Sequence, residues 1–220
     1  MSIENIKRKA QAIIAGNNPN VIKAYLLENL DREPDGSELN RTCGAPIGVD
    51  ERNWPIAEGE KMAHAITLDL ESVPALQANF PAGTRAVAVF VSDLMENEAF
   101  EPGNPETAVV LLTEADIAKG VAEWDAADEA GSTSFAAHEI DLPVDVFSEE
   151  IYELDETDPV YELSEELNRF ALAGGKPLWL QGPEHDGEII LQFDEELVDM
   201  NLGDAGVMYV FRDTAFWQCH

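Results

Sequence analysis

Two aspartates occupy equivalent positions in the sequence and are the first candidates for chemistry. Asp69 ends the apolar stretch 65–68, and Asp194 ends the apolar stretch 188–193. If their carboxylates converged, they could hold a cation or share a proton. Alternatively, each aspartate accepts hydrogen bonds from backbone N–H groups of the turn that follows its own strand. The sequence favours this second, structural role.

Other polar and aromatic residues could line a cleft near these aspartates. Thr67 and Gln192 lie inside the apolar stretches, where such side chains more often satisfy partners within a sheet than face a ligand. Trp54, Trp179 and Trp217 accompany Gly/Pro turns, and we favour core packing over an aromatic groove for them. The full set of candidate ligand- or partner-binding residues is Trp54, Thr67, Asp69, Trp179, Gln181, Gln192, Asp194 and Asp204.

The sequence assigns no catalytic residue, metal ligand or cofactor. His64 and His185 each lie shortly before the strand that ends at an aspartate, but with His138 and His220 they share no metal-binding spacing. Residues 203–206 precede a strand, whereas a phosphate-binding loop precedes a helix. No Ser-His-Asp, nucleophile-elbow, P-loop or zinc motif appears. We therefore expect a protein without metal or cofactor, and a non-catalytic protein rather than an enzyme.

Charge is the unusual feature of the composition. The chain has 13 Lys plus Arg against 44 Asp plus Glu, which gives a net charge of −31. Residues 1–45 are neutral, and residues 92–167 carry 23 acids against the single base Lys119. A field of this sign repels nucleic acid and anionic membranes, because phosphate contacts need Lys and Arg. We therefore expect a basic protein partner, no nucleic acid and no membrane.

Two acidic segments are the predicted contact surface for such a partner, because complementary charge speeds and orients association. Surplus acid also keeps proteins soluble, and both interpretations remain open. The acidic surface residues are Asp93, Glu96, Glu98, Glu101, Glu149, Glu150, Glu153, Asp155, Glu156 and Asp158.

Hydrophobic periodicity predicts the elements that must position these residues. Apolar residues at helical spacing predict a helix over 2–16, and Asn18-Pro19 followed by an apolar run predicts a second, so that 1–40 form a helical hairpin. Strands are predicted over 63–70, 86–91, 107–112, 188–193 and 207–211, and Pro143 indicates an edge or irregular strand over 138–146. Helices are predicted over 114–127, which includes Trp124, and over 159–172, ended by Gly174-Gly175.

The stretches 44–91 and 174–218 share one pattern of turns and strands. Each has too few strands to bury a sheet face alone, so the two should join within one domain spanning 41–220. The expected fold is α+β, with a mixed, mainly antiparallel sheet built from two related repeat units and an N-terminal helical hairpin.

The second stretch also resembles a known family. The motifs G-G-K-P-L-W-L-Q, I-L-Q-F-D and G-D-A-G before V-M-Y-V-F are similar to those of the YwqG-like family of bacterial proteins of unknown function; they fall on Gly174, Gly175, Pro177, Gln192, Asp194, Gly203, Asp204, Gly206 and Phe211. The first stretch is looser, with Thr67 and Asp69 where the family has Gln and Asn. The resemblance covers about residues 42–218. It implies an α/β fold with two related halves and no known reaction, and its members resemble candidate immunity proteins.

Features typical of export are not found. No apolar run reaches about 18 residues, the N-terminus lacks a secretory pattern, and Cys43 and Cys219 fit no zinc or redox spacing. These features favour a reducing cytoplasm. The leading hypothesis is a cytoplasmic, non-catalytic protein that binds a basic partner, for example an immunity protein that neutralises a toxin. The alternative is a small-molecule or cation-binding protein, or an enzyme, that uses a cleft between the two halves.

Overall fold

The computed structural model describes residues 2–17, 19–122 and 131–219. The strands are β1 (Val21–Asn29), β2 (Arg41–Thr42), β3 (Ile56–Ala57), β4 (Glu60–Lys61), β5 (Ala63–Asp69), β6 (Thr84–Val91), β7 (Thr107–Thr113), β8 (Thr133–Pro143), β9 (Ala171–Gly174), β10 (Ile189–Asp194), β11 (Val207–Phe211) and β12 (Ala215–Gln218). The helices are α1 (Ile3–Asn17), α2 (Glu114–Ile117) and α3 (Pro159–Leu167), with 3-10 helices at Pro74–Asn79, Val144–Phe147 and Glu149–Glu153.

Ten of these strands form one sheet in the order β12-β11-β10-β9-β1-β8-β2-β5-β6-β7, and β3 pairs only with β4. Every pairing between the named strands is antiparallel. The sheet is nearly closed, because the edge strands β7 and β12 approach each other. There the Thr107 hydroxyl donates a hydrogen bond of 2.6 Å to the carbonyl oxygen of Ala215.

The curved sheet encloses the largest apolar core. Leu68 on β5, Val89 on β6, Phe193 on β10 and Met208 on β11 all pack in this one cluster. Three smaller clusters cover the outer face. One packs α1 and α3 on β1, β8 and β9, one covers β6 and β7, and one covers β10 to β12. Apolar side chains therefore fill the space that the curved sheet encloses.

The N-terminal helix is confirmed as α1, but the predicted second helix is wrong. Residues 21–29 form β1, a central strand of the sheet. Tyr25 and Leu27 enter the enclosed core, whereas Ala24 and Leu26 face α1 and α3. A strand buried on both faces has a continuous apolar run, which periodicity alone does not distinguish from a buried helix. The helical hairpin of residues 1–40 is therefore a helix followed by a strand.

The predicted edge strand near Pro143 is also corrected. β8 is eleven residues long and lies between β1 and β2. Pro143 is its last residue, where its missing N–H costs the ladder little. The helix predicted over 114–127 is the single turn α2, and residues 123–127, with Trp124, lie outside the described residues. The helix predicted over 159–172 ends at Leu167, because 171–174 form β9.

The strands at 63–70, 86–91, 107–112, 188–193 and 207–211 are confirmed as β5, β6, β7, β10 and β11. The α+β fold class and the mainly antiparallel sheet are confirmed as well. The sheet contains no parallel pairing among the strands that the structure describes, so it is not mixed.

Candidate functional site

The structure does not bring Asp69 and Asp194 together. Four strands separate β5 from β10 in the sheet, which corresponds to roughly 24 Å along its surface at about 4.8 Å per strand. Leu68 and Phe193, which precede the two aspartates, both point into the enclosed core. Because side chains alternate along a strand, both aspartates point outward, with the core between them.

Asp69 takes part in an ion-pair network on the outside of β5 and β6. Its carboxylate pairs with the guanidinium of Arg85 and accepts a 2.8 Å hydrogen bond from the backbone N–H of Glu71. Arg85 also lies 3.0 Å from carboxylate oxygens of both Glu71 and Glu114. The role of this aspartate is thus to close its turn and to neutralise a mostly buried arginine.

Asp194 closes the equivalent turn and makes no ion pair with any described basic residue. Its Oδ1 accepts hydrogen bonds of 3.1 and 3.3 Å from the backbone N–H groups of Glu196 and Leu197. Burial, with the nearby charge of Glu196, raises the pKa of Asp194. Its side chain also lines a cavity of about 860 Å³ with Tyr152 and Arg169. Both aspartates therefore close their own turns, and Asp194 also borders open space.

The polar residues inside the strands have internal partners. The Thr67 hydroxyl lies 2.8 Å from Nε2 of the fully buried His64, whose Nδ1 faces the carbonyl oxygen of Cys43 at 3.1 Å. Burial lowers the pKa of His64 to about 4. The amide oxygen of Gln192 accepts a 2.9 Å hydrogen bond from the backbone N–H of Leu178. These contacts stabilise the fold and leave neither residue facing a ligand.

The tryptophans pack in or against three different apolar clusters. Trp54 is buried under the outer face of β6 and donates from Nε1 to the carbonyl oxygen of Met62 at 2.9 Å. Trp179 packs against Tyr209 over β11, with ring centroids 4.7 Å apart. Trp217 reaches the enclosed core. They do not form one groove.

The remaining candidates lie near the C-terminal strand. Gln181 donates a side-chain hydrogen bond of 2.6 Å to the carbonyl oxygen of Cys219, which ties its loop to β12. Asp204 is exposed in the turn before β11, beside Ala205, whose φ is +50°. The structure contains no disulfide between Cys43 and Cys219.

The acidic residues are more informative about function than the candidate residues described above. We define the acidic band as residues 92–106, 149–158 and 194–206. These three segments contain no Lys or Arg. The predicted acidic residues Asp93, Glu96, Glu98, Glu101, Glu149, Glu150, Glu153, Asp155 and Glu156 are exposed, and Asp158 is half-buried at the N-cap of α3; the segment 194–206 adds the exposed Glu195, Glu196, Asp199 and Asp204.

Within the described chain, no ion pair involves an acid of the band. Outside the band several acids do have basic partners, as where Lys9 lies 2.7 Å from Glu166 and Lys23 lies 2.5 Å from Glu139. The negative charge of the band is therefore left to cations from solution or from a partner.

The band also exposes large apolar side chains, which the sequence reasoning missed. Met95 and Phe100 are 57% and 48% exposed, and Tyr152 and Leu154 are 66% and 39% exposed. Elsewhere among the described residues only Val21, Ile56 and Val121 are comparable. The sequence did contain a signal for these exposed side chains. They are large apolar residues within acidic, turn-rich segments that have no strand or helix periodicity.

Contacts join the three segments of the band into one surface. The backbone N–H of Asn201 donates a 2.7 Å hydrogen bond to the carbonyl oxygen of Leu94, and its side chain donates to Met95 at 3.1 Å. On the other side, Tyr152 lines the 860 Å³ cavity together with Glu195 and Glu196. Segment 194–206 thus lies between the other two.

Among residues 2–17, 19–122 and 131–219, no group of three or more His, Cys, Asp or Glu side chains could hold a metal ion. No helix in the same residues has the length and apolar character to cross a membrane. No protein-family model matches the chain, and no curated protein sequence gives a significant match.

Proposed function

We propose that this protein is a non-catalytic binding protein that contacts a basic protein partner through the acidic band. The observation that carries the proposal is the combination of uncompensated carboxylates with four exposed apolar side chains on one surface. The charges supply steering and orientation. The apolar side chains supply the contact area that gives affinity, because a few large side chains dominate most interfaces.

Tyr152 and Leu154 replace the tryptophans as the proposed apolar contacts. Trp54 is buried and Trp179 is packed on Tyr209, so neither presents a free ring. Tyr152 lines the 860 Å³ cavity, whose walls carry several carboxylates and the single guanidinium of Arg169. A partner's Lys or Arg side chain, with its apolar stem and charged end, fits such a mixed surface.

Several narrower proposals rest on the sequence. An immunity protein that neutralises a basic toxin would need a surface of this kind, and the YwqG-like resemblance favours that role. In the sheet, β2, β5, β6 and β7 lie on one side of β1 and β8, and β9 to β12 lie on the other. This order supports two related halves in one domain. The two cysteine thiols agree with a cytoplasmic location.

The proposal is tested by capture from a lysate fraction enriched in basic proteins, with matched variants immobilised side by side. One variant carries Tyr152→Ala and Leu154→Ala, and another carries Gln at positions 149, 150 and 153. The apolar control is Ile56→Ala, which changes a residue 62% exposed outside the band. The charge control carries Gln at the exposed glutamates 51, 58 and 60.

We expect one basic protein that wild type and both controls retain and that both band variants lose. Its purified complex should weaken at least about tenfold as added salt screens the surface charges. If every variant retains the same proteins, or if wild type retains no basic protein, the proposal is wrong and the acids serve only to keep the protein solvated. Affinity that is unchanged by salt would contradict steering by charge.

A further inference from the structure

A second cavity, away from the acidic band, lies between the 3-10 helix Pro74–Asn79, residues 185–190 and the end of β11. Its volume is about 300 Å³, at the small end of the range for metabolite sites. The floor is apolar, and Leu76, Phe80, Ile190 and Phe211 are each less than a tenth exposed. Its lining also includes three exposed charged residues, Glu188, Arg212 and Asp213.

Two contacts position His185 at this cavity. Its Nδ1 accepts a 2.9 Å hydrogen bond from the backbone N–H of Gly187, and its ring lies 4.3 Å from the ring of Phe211 between centroids. A Cβ on Gly187 would lie 2.5 Å from Cε1 of the imidazole, so this approach requires glycine. Because Nδ1 accepts, the proton of the neutral ring is on Nε2, which lies 3.6 Å from Asp213.

Positively and negatively charged side chains lie close together at this cavity. Arg212 is exposed and makes no ion pair with any other described residue, in a chain where acids outnumber bases by more than three to one. Glu188 and Asp213 are exposed beside the same cavity. A guanidinium with an imidazole N–H can bind a carboxylate, and the two acids can bind an ammonium group.

We propose that this crevice binds a free α-amino acid with an apolar side chain. The carboxylate pairs with Arg212 and the Nε2–H of His185, and the ammonium group pairs with Asp213 or Glu188. The side chain enters the apolar floor over Phe211. This site is independent of the acidic band and uses none of the residues proposed there.

The test is calorimetric and NMR titration of the isolated protein with L-leucine and L-phenylalanine. Two analogues of leucine serve as probes: 4-methylpentanoate lacks the ammonium group, and 3-methylbutylamine lacks the carboxylate. We expect both amino acids to bind with a Kd below about 1 mM, and both analogues to bind at least about tenfold more weakly. Chemical shifts of the imidazole of His185 should move with the amino acids.

Substitutions test which side chains bind the amino acid. Arg212→Gln should weaken amino-acid binding at least about tenfold, whereas Arg52→Gln should not. Arg52 is also exposed and makes no ion pair with another described residue. Gly187→Ala should also weaken binding, because it displaces the imidazole. The proposal is overturned if neither amino acid binds, if an analogue binds as well as leucine, or if Arg212→Gln behaves like its control. Arg212 is exposed, so its substitution leaves the fold intact.

Discussion

Replacement of His64 by Gln should remove an acid-dependent loss of stability. The imidazole is fully buried, with Nδ1 between the carbonyl oxygens of Cys43 and Gly44 at 3.1 and 3.2 Å. Nδ1 therefore carries the proton of the neutral ring, and Nε2 accepts from the Thr67 hydroxyl. A second proton would place a charge in a fully buried site, near the guanidinium of Arg41. The folded protein therefore prefers the neutral ring.

The size of this acid-dependent loss of stability follows from the pKa of His64 in the folded and unfolded states. Burial lowers the pKa of His64 to about 4, against about 6.5 in the unfolded chain. Between these values the unfolded state binds one more proton, so the free energy of unfolding falls as the pH falls, by about 1.4 kcal/mol per pH unit. The full contribution is present above about pH 6.5, and roughly 3 kcal/mol of it is lost by about pH 4.

The assay is urea unfolding of wild type and of His64→Gln over this pH range. Carboxylates titrate in both proteins and cancel in the difference, so the difference in unfolding free energy should shrink with acid along the predicted slope. His138→Gln, at a partly exposed histidine on β8, should keep the wild-type loss because it retains His64. A difference that stays constant from about pH 6.5 to about pH 4 would refute the reasoning. If His64→Gln does not fold, NMR titration of the His64 ring in wild type tests the same pKa directly.

Three further substitutions probe the fold by urea unfolding at neutral pH. Gly174→Ala should cost about 1–3 kcal/mol, because φ is +73° and the new Cβ would lie 2.6 Å from Cδ2 of Leu76. Tyr209→Phe should cost about 1–3 kcal/mol, because the buried hydroxyl donates to the carbonyl oxygen of Leu178 at 2.7 Å. Arg85→Met should destabilise the fold, because it leaves three neighbouring carboxylates without their shared basic partner.

Each substitution has a matched control in the same chain. Gly36→Ala places its Cβ in open space, and Tyr161→Phe removes a hydroxyl that makes no hydrogen bond with another described residue. Arg52→Met removes an exposed arginine that makes no ion pair within the described parts of the chain. A cost at Gly174, Tyr209 or Arg85 no larger than that of its control would contradict the contact assigned to it.

Sequence alone identified the elements whose pattern is local. The helix α1 has apolar residues at helical spacing, and β5, β6, β10 and β11 are short apolar runs between Gly and Pro turns. The acidic segments 93–101 and 149–158 were also evident, because charged residues without apolar periodicity remain at the surface. The turn-closing role of Asp69 and Asp194 needed only their position after a strand.

Tertiary structure decided which elements became neighbours. β1 is a strand because the enclosed core takes Tyr25 and the layer of α1 and α3 takes Leu26, and no local pattern shows a segment buried on both faces. Sheet order placed Asp69 and Asp194 on opposite sides of that core. Packing left Tyr152 exposed beside the acids and brought His185 onto Phe211. Both proposed sites depend on contacts between residues distant in sequence, which periodicity and composition do not encode.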